Sequence, residues 1–154
     1  MTKSIVFSKG PKITVTLQFE ERRFKSASLS FSEKFQCKII GDADDKLNDQ
    51  LLSFLENYGK KTPVQIELPL LELPPFRQKV LEVLQKVPFG EILTYGELAA
   101  ASGNPRAARA VGSACHVNPY PLFIPCHRVV ASGGLIGGFA YNIEMKKRLL
   151  DFES

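Results

Sequence analysis

Apolar and polar residues alternate in three stretches of the chain. "ITVTLQF" at 13–19, "SASLSF" at 26–31 and "VQIEL" at 64–68 repeat with period two, so each predicts a strand with one buried face. Between the second and third the period changes. Leu47, Leu51, Phe54, Leu55 and Tyr58 recur at helical spacing, and the run stops at Gly59, which predicts an amphipathic helix. "LPLLELPP" at 68–75 has no period and is punctuated by proline, as suits a linker or a boundary strand. The expected organisation is an α+β domain over residues 1–70 and a second domain over 71–154.

That second domain reads as mainly helical. Phe76, Val80, Val83, Leu84 and Val87 form one stripe, and Pro88 with Gly90 is expected to stop the helix. Thr94, followed three residues later by Glu97, is a capping-box signature that opens a short helix. The "SGN" turn at 102–104 ends it. Asn104 is expected to cap another helix with Pro105 at its first position, where a missing N–H costs nothing. Two short helices across a glycine turn predict a helix-turn-helix. The body of its second helix is Ala107, Ala108, Ala110, Val111, Gly112, Ser113 and Ala114. Such small side chains suit close approach to a nucleic-acid backbone, and they equally suit tight helix packing.

Composition narrows the chemistry. A chain of 154 residues that is 44% hydrophobic can bury a core as one domain or as two small ones. Its three cysteines, Cys37, Cys115 and Cys126, are odd in number and widely spaced, and only His116 and His127 could join them as ligands. A disulfide framework and a structural zinc site are therefore not expected, and the cysteine usage implies a reducing compartment. The N-terminus lacks a signal-peptide core, and no segment approaches the ~20 apolar residues of a membrane span, so a cytoplasmic protein is expected. Net charge is +4. Residues 75–154 carry 9 Lys+Arg against 6 Asp+Glu, and no acidic residue lies between Glu97 and Glu144. That window, which includes Arg106, Arg109 and Arg128, reads either as a phosphate-contacting surface or as a buried apolar one.

The densest chemistry lies in "LFIPCHRVVASGG", residues 122–134. A free thiol titrates near ~8.5, so a nucleophilic cysteine needs a base or a positive field. His127 and Arg128 are the nearest candidates for Cys126. Adjacent residues of an extended chain point opposite ways, however, so His127 requires a turn or a bridging water to reach the sulfur. Pro119, Pro121 and Pro125 stiffen the approach, and the glycine-rich "SGGLIGGF" follows, which together describe a fixed nucleophile loop beside a pocket wall.

The segment from Phe76 through "FGEILTYGELAAASGNPRAARAVG", "NPYPLFIPCHRVV" and the terminal "KKRLLDFE" resembles the O6-alkylguanine-DNA alkyltransferases, whose Pro-Cys-His-Arg-Val signature stands here as Pro125 to Val129. The resemblance implies a ribonuclease H-like N-terminal α/β domain and a C-terminal domain with a winged helix-turn-helix-like DNA-binding motif. It implies direct-reversal DNA repair, in which Cys126 irreversibly takes the alkyl group of O6-alkylguanine, and also that of O4-alkylthymine, once per molecule and without a cofactor or metal. His127 would deprotonate Cys126 through a water, and Glu153 would orient His127. Asn118 would stabilise the turn before the nucleophile, and Tyr95 would donate to guanine N3. Arg109 would replace the extruded nucleotide. Pro121, Val129, Ala140 and Tyr141 would line the base pocket, while Tyr95, Gly96, Asn104, Arg106, Arg109 and Ser132 would touch double-stranded DNA through its minor groove, the protein acting as a monomer.

Three other readings make different demands. A cysteine hydrolase would use the same Cys126 and His127 but would turn over. A lesion-binding protein without repair activity would lack the nucleophile. A helix-turn-helix regulator would need base-reading side chains on its second helix, where only Arg106, Arg109 and His116 stand. Cys115, on the same helix, reads as a small packed hydrophobe near the pocket.

One departure from the family pattern yields a prediction. Tyr141 and Asn142 stand where the family commonly has glycine beside the base. A tyrosine takes space that a bulky O6 substituent needs. Methyl transfer should then proceed while inactivation by free O6-benzylguanine is slow, and Tyr141→Gly should accelerate it. The rate of activity loss in O6-benzylguanine measures this; rapid inactivation of the wild type with no gain in the glycine variant would remove Tyr141 as a gate.

Overall fold

Ile13, Val15, Leu17 and Phe19 are buried along one strand because alternate side chains of a strand point to one face, and this face is the core of the N-terminal unit. The computed structural model describes residues 2–66, 68, 70, 73–137 and 142–154, and the chain divides into two units, 1–66 and 67–154. The first contains strands β1 (Thr2–Val6), β2 (Ile13–Glu20), β3 (Arg23–Phe31) and β4 (Gln36–Ile40), and helix α1 (Asp45–Gly59). Sheet order is β1-β4-β2-β3, with β2–β3 and β1–β4 antiparallel and β2–β4 parallel. β2 and β3 form a hairpin whose turn, Glu21 and Arg22, has φ of 49° and 66°. Positive φ at both central residues is type I′ geometry, adopted here without the usual Asn-Gly.

Helix α1 follows the predicted stripe. Asp44 accepts from Leu47 N at 3.0 Å as its N-cap, and Leu51, Leu55 and Tyr58 are buried. Gly59 is the helix's last residue rather than its stop: a Cβ there would lie 2.0 Å from the Lys9 carbonyl oxygen. The left-handed residue that ends the segment is Lys61, φ 59°. The Tyr58 ring packs 6.2 Å from Phe35, which packs 5.0 Å from Phe7.

The strand expected at 64–68 does not form. Residues 64–66 and 68 lie outside any strand, Val64 is 42% exposed, and Glu67 is outside the described residues. Alternation needs a ladder partner to become a strand, and Pro63 and Pro69 bound this stretch and offer no N–H. β1 and β4 carried no expectation from sequence.

The second unit contains α2 (Pro75–Leu84), β5 (Leu93–Thr94), α3 (Tyr95–Ala101), α4 (Ala108–His116), a 3₁₀ turn (Cys126–Arg128), β6 (Val129–Val130), a second 3₁₀ turn (Ser132–Gly134) and α5 (Ile143–Glu153). α2 ends at Leu84, before the expected Pro88, in a turn where Val87 N donates to Leu84 O at 3.1 Å. α4 begins three residues after the expected Pro105. Asn104 Oδ1 accepts from Arg106 N at 3.1 Å, and Ala107 N donates to Asn104 O. Asn104 thus closes an Asx turn of its own, and Ala107, at ψ 32°, separates that turn from the helix. Val80, Leu81, Leu84, Leu98, Ala99, Val111, Ala114, Ile124, Met145 and Leu149 form the core of this unit.

The capping box is complete. Thr94 Oγ1 accepts from Glu97 N at 3.1 Å, and Glu97 Oε1 accepts from Thr94 N at 3.0 Å. Thr94→Ala should therefore destabilise the protein by about 1 kcal/mol, whereas Glu97→Gln, which keeps an acceptor at the same reach, should cost less. Urea unfolding at neutral pH measures both; equal losses would mean that Thr94 acts through packing.

Candidate active site

The loop that carries Cys126 is built by one asparagine. Asn118 Nδ2 donates to Ile124 O at 2.9 Å, and Asn118 Oδ1 accepts from Tyr120 N at 3.0 Å. Ile124 N donates to Tyr120 O and Cys126 N to Ile124 O, at 2.9 and 2.8 Å. Within this tight turn Leu122 is buried at φ 75°, a strained value for a branched residue that the surrounding bonds hold in place. The chain then coils through Cys126–Arg128, with Arg128 N bonded to Pro125 O at 3.0 Å. Coiling releases His127 and Arg128 from the strict alternation of an extended strand, the geometric obstacle the sequence raised. β6 leaves this turn and pairs in parallel with β5, Leu93 with Val129 and Thr94 with Val130, which brings Tyr95 to the nucleophile loop.

Glu153 is the hub. Its Oε2 lies 2.5 Å from His127 Nε2, and its Oε1 accepts from Arg128 Nε at 2.7 Å and from Gly90 N at 3.3 Å. All three side chains are buried. Gly90 takes φ +84°, and a Cβ there would lie 3.3 Å from the Glu153 carbonyl oxygen. Arg128 also donates to Val87 O at 2.7 Å and lies over the Phe89 ring. Burial alone would raise the Glu153 carboxyl, but its bonds to His127 and Arg128 prevail and hold it down at about 2. Burial lowers His127 below its ordinary value, against the pull of Glu153. A neutral imidazole beside an ionised carboxylate carries its proton on Nε2, which leaves Nδ1 as the basic nitrogen. Nδ1 is buried and has no hydrogen-bond partner among the described residues.

Arg128 is thus committed to Glu153 rather than to the thiol. The cation acting on Cys126 is Lys146, which sequence reasoning missed. Lys146 is fully buried on α5, donates to Val129 O at 2.5 Å and sits 5.7 Å from the Tyr95 ring centroid. The signal was available: Met145, Lys146, Leu149 and Glu153 share one face at helical spacing. Burial raises the Cys126 thiol to about 11, opposed by the Asn118 hydrogen bond, by Lys146 and by backbone N–H groups. Burial pushes the neighbouring Cys115 up to about 12 and raises the Tyr95 phenol, and the charges of both thiols act on Tyr95 in the same direction.

The remaining expected residues are scattered around this centre. Pro121 and Val129 are buried, and the Val129 carbonyl already accepts from Lys146. Gly96, Asn104, Arg106, Arg109 and Ser132 are exposed. Ala140 and Tyr141 lie outside the described residues. Gly137, φ +72°, approaches Tyr95 so closely that a Cβ would lie 3.3 Å from its ring, so one glycine of the expected wall backs the tyrosine. A separate cleft of about 500 Å³ in the first unit, lined by Ile5, Phe7, Asp49, Leu52 and Glu56 among others, holds none of these residues.

A buried thiol, a neutral imidazole with an open nitrogen and an ionised carboxylate are the groups that a protein with a nucleophilic cysteine requires. Residues 75–154 match the family described as 6-O-methylguanine DNA methyltransferase, DNA binding domain. The chain is 49% identical over 141 residues to a probable methylated-DNA–protein-cysteine methyltransferase of Acanthamoeba polyphaga mimivirus, covering 90% of this chain and 89% of the relative. It is 37% identical over 146 residues to the methylated-DNA–protein-cysteine methyltransferase of Saccharolobus islandicus, covering 94% and 91%. The Mycobacterium tuberculosis OGT solved in complex with DNA superposes with a TM-score of 0.64 at 27% identity, over 91% of this chain and 92% of that one. The chain belongs to the methylated-DNA–protein-cysteine methyltransferase family, enzymes of DNA repair that move an alkyl group onto a cysteine. Its architecture is the α+β fold of the solved family members.

The Glu153 hub fixes a pH dependence. Both Glu153 and His127 titrate lower in the folded chain than their ordinary 4.5 and 6.5, so the unfolded chain takes up protons first as pH falls. Stability is then full above about 6.5, declines first through His127, and falls again between about 4.5 and 2 as Glu153 protonates. Glu153→Gln should abolish the lower step and cost about 3–5 kcal/mol at neutral pH, because Arg128 loses its buried partner. Urea midpoints across this range test it; identical acid slopes in the two proteins would exclude Glu153 as the source.

Proposed function

We propose that this chain repairs double-stranded DNA by direct reversal, with Cys126 accepting the alkyl group from O6-alkylguanine. The observation that carries the reading is the buried His127–Glu153 pair next to buried Cys126, with His127 Nδ1 lacking a hydrogen-bond partner among the described residues. Burial keeps the thiol protonated near neutral pH, so attack requires a base at the moment of reaction. His127 takes that proton through a water, and Glu153, held ionised, stabilises the imidazolium that results. The thiolate then attacks the alkyl carbon, the bond from that carbon to O6 breaks, and guanine departs with its charge relieved by a proton from Tyr95 to N3. A thioether remains. Nothing in the series reverses it, so each molecule acts once, and O4-alkylthymine offers the thiolate the same kind of bond.

DNA docking is supported by what small residues do on the surface. A Cβ at Gly112 would meet nothing within 4 Å, and one at Gly96 only the Thr94 hydroxyl at 3.8 Å, so the protein's own packing requires glycine at neither position. Ala108, Arg109 and Ala110 on α4 are exposed beside them. A smooth face with one arginine suits sequence-neutral minor-groove binding, with Arg109 filling the stack when the damaged nucleotide turns outward to reach a buried cysteine. In this reading α3 and α4 are the helix pair of a winged helix-turn-helix, unit 1 is ribonuclease H-like, and the protein works as a cytoplasmic monomer.

Mixing the protein with duplex DNA containing O6-methylguanine should add one methyl group to its intact mass, mapped to Cys126, and Cys126→Ala should abolish uptake while retaining DNA affinity. Multiple turnovers, or uptake in the alanine variant, would defeat the proposal and favour hydrolase chemistry. Arg109→Ala should slow repair of duplex DNA more than reaction with the free base; equal losses would make Arg109 a structural residue.

A further inference from the structure

The cleft of about 500 Å³ in the first unit holds none of the residues assigned to alkyl transfer, and its lining shows what it fits. Ile5, Val6, Phe7 and Ser8 line it together with Asp49, Leu52 and Glu56 of α1. Successive side chains of an extended chain point to opposite faces, so four consecutive lining residues mean that the cleft runs along the edge of β1 rather than over one face of the sheet. That edge is open. β1 stands at the end of the sheet order and pairs only with β4 among the described residues. Phe7 N donates to Phe35 O at 2.9 Å, continuing the Val6–Gln36 register. Bonded positions alternate along an antiparallel pair, so Ser4 and Val6 turn their N–H and C=O groups away from β4.

The rest of the lining selects the occupant. Ile5, Phe7 and Leu52 are apolar and half-buried, and the Phe7 ring packs towards α1 through Phe35 and Tyr58. Asp49 and Glu56 are exposed and stand two turns apart on α1, ~10 Å along its axis. No Lys or Arg lines the cleft. Glu56 pairs with Lys60 at 3.3 Å, but both side chains are exposed and such a pair exchanges readily. The other sheet edge, β3, carries exposed Arg23 and Lys25, charges of the kind that keep an edge from pairing, whereas Ser4 to Ser8 carry none.

We propose that this cleft docks an extended basic segment of a partner protein, added as a strand to β1. Its central apolar side chain lies against Ile5 and Leu52, and a lysine or arginine two residues to either side reaches Asp49 or Glu56. Alternate residues of a strand share one face, so all three side chains point towards α1, and the two basic residues, ~13 Å apart, span the two carboxylates with their long stems. Main-chain bonds to Val6 hold the segment, and the carboxylates choose its sequence. Nucleic acid is disfavoured there by like charge. The inference is independent of the alkyl-transfer reading.

The probe is a fluorescein-labelled peptide, Gly-Ser-Lys-Thr-Ile-Thr-Lys-Gly-Ser, titrated into the full chain and followed by anisotropy and by the amide spectrum of isotope-labelled protein. It should bind saturably, shift the amide signals of Val6, Leu52 and Glu56, and slow hydrogen exchange at Val6 N–H. Exchanging both lysines of the peptide for glutamate should abolish binding. Of two versions N-methylated at alternate residues, one should lose binding and the other keep it, because a strand turns every second N–H towards its neighbour. Asp49→Asn with Glu56→Gln, both at exposed positions, should weaken the lysine peptide about three- to tenfold and leave a version with glutamines in place of the lysines unchanged. No saturable binding up to about 1 mM peptide would overturn the proposal. So would unchanged affinity in the double variant, equal binding of the glutamate peptide, or equal behaviour of the two N-methylated versions. A dimeric mass with Val6 N–H protected before peptide is added would overturn it too, since the edge would then be filled by a second copy of the chain.

Discussion

A single buried carboxylate organises the C-terminal unit. Glu153, at the end of the last helix, accepts from the imidazole and the guanidinium of two successive residues and from the backbone N–H of Gly90. Removing that carboxylate would leave Arg128 charged in an apolar interior and His127 without orientation. The arrangement joins three segments far apart in sequence: the turn after α2, the nucleophile loop and α5. It is stabilising only as a set, because desolvation of each member is offset by the other two. The cluster is therefore also a folding constraint, and the chain cannot dispense with the Glu153 carboxylate without loosening the turn at Gly90.

In the proposed mechanism a deeply buried cysteine is reactive on demand and quiet otherwise. Burial lifts its pKa to about 11, which would make an isolated thiol inert. Lys146, Asn118 and nearby N–H groups work against that lift, and in the proposed mechanism His127 is the base. A thiolate then forms when the proton has somewhere to go, rather than standing exposed to any passing electrophile.

What the sequence disclosed followed from local chemistry. The capping box at Thr94 and Glu97, the stripe of α1 and the alternation of β2 and β3 are each decided by residues within one turn or one strand, and the structure reproduces them. Pairing is a different matter. β1, with mostly exposed residues, and the short β4 become strands only because each finds a neighbour, whereas "VQIEL", with better alternation, finds none among the described residues. Asn104 looked like a helix cap and is one turn early, since an Asx turn satisfies it locally before the helix begins. The loop around Cys126 was legible through its prolines and the Cys-His pair. Its partners were legible only where a family pattern reached them, as at Glu153.

Lys146 marks the limit of reading by adjacency. Arg128 stood two residues from Cys126 and was the obvious positive field, yet the 3₁₀ turn sends it to Glu153, and the lysine that acts on the thiol comes from twenty residues downstream. The physical reason is economy of charge in a closed space. A carboxylate that must stay ionised at the end of a helix needs a strong, directional partner, and a guanidinium offers two-sided bonding that reaches both Glu153 and the Val87 carbonyl. An ammonium, compact and able to shed its proton when buried, suits the thiol side. Burial accordingly lowers the Lys146 pKa, while Cys126 and Cys115 pull it back. Lysine and thiols are thus electrostatically linked, each favouring the charged form of the other.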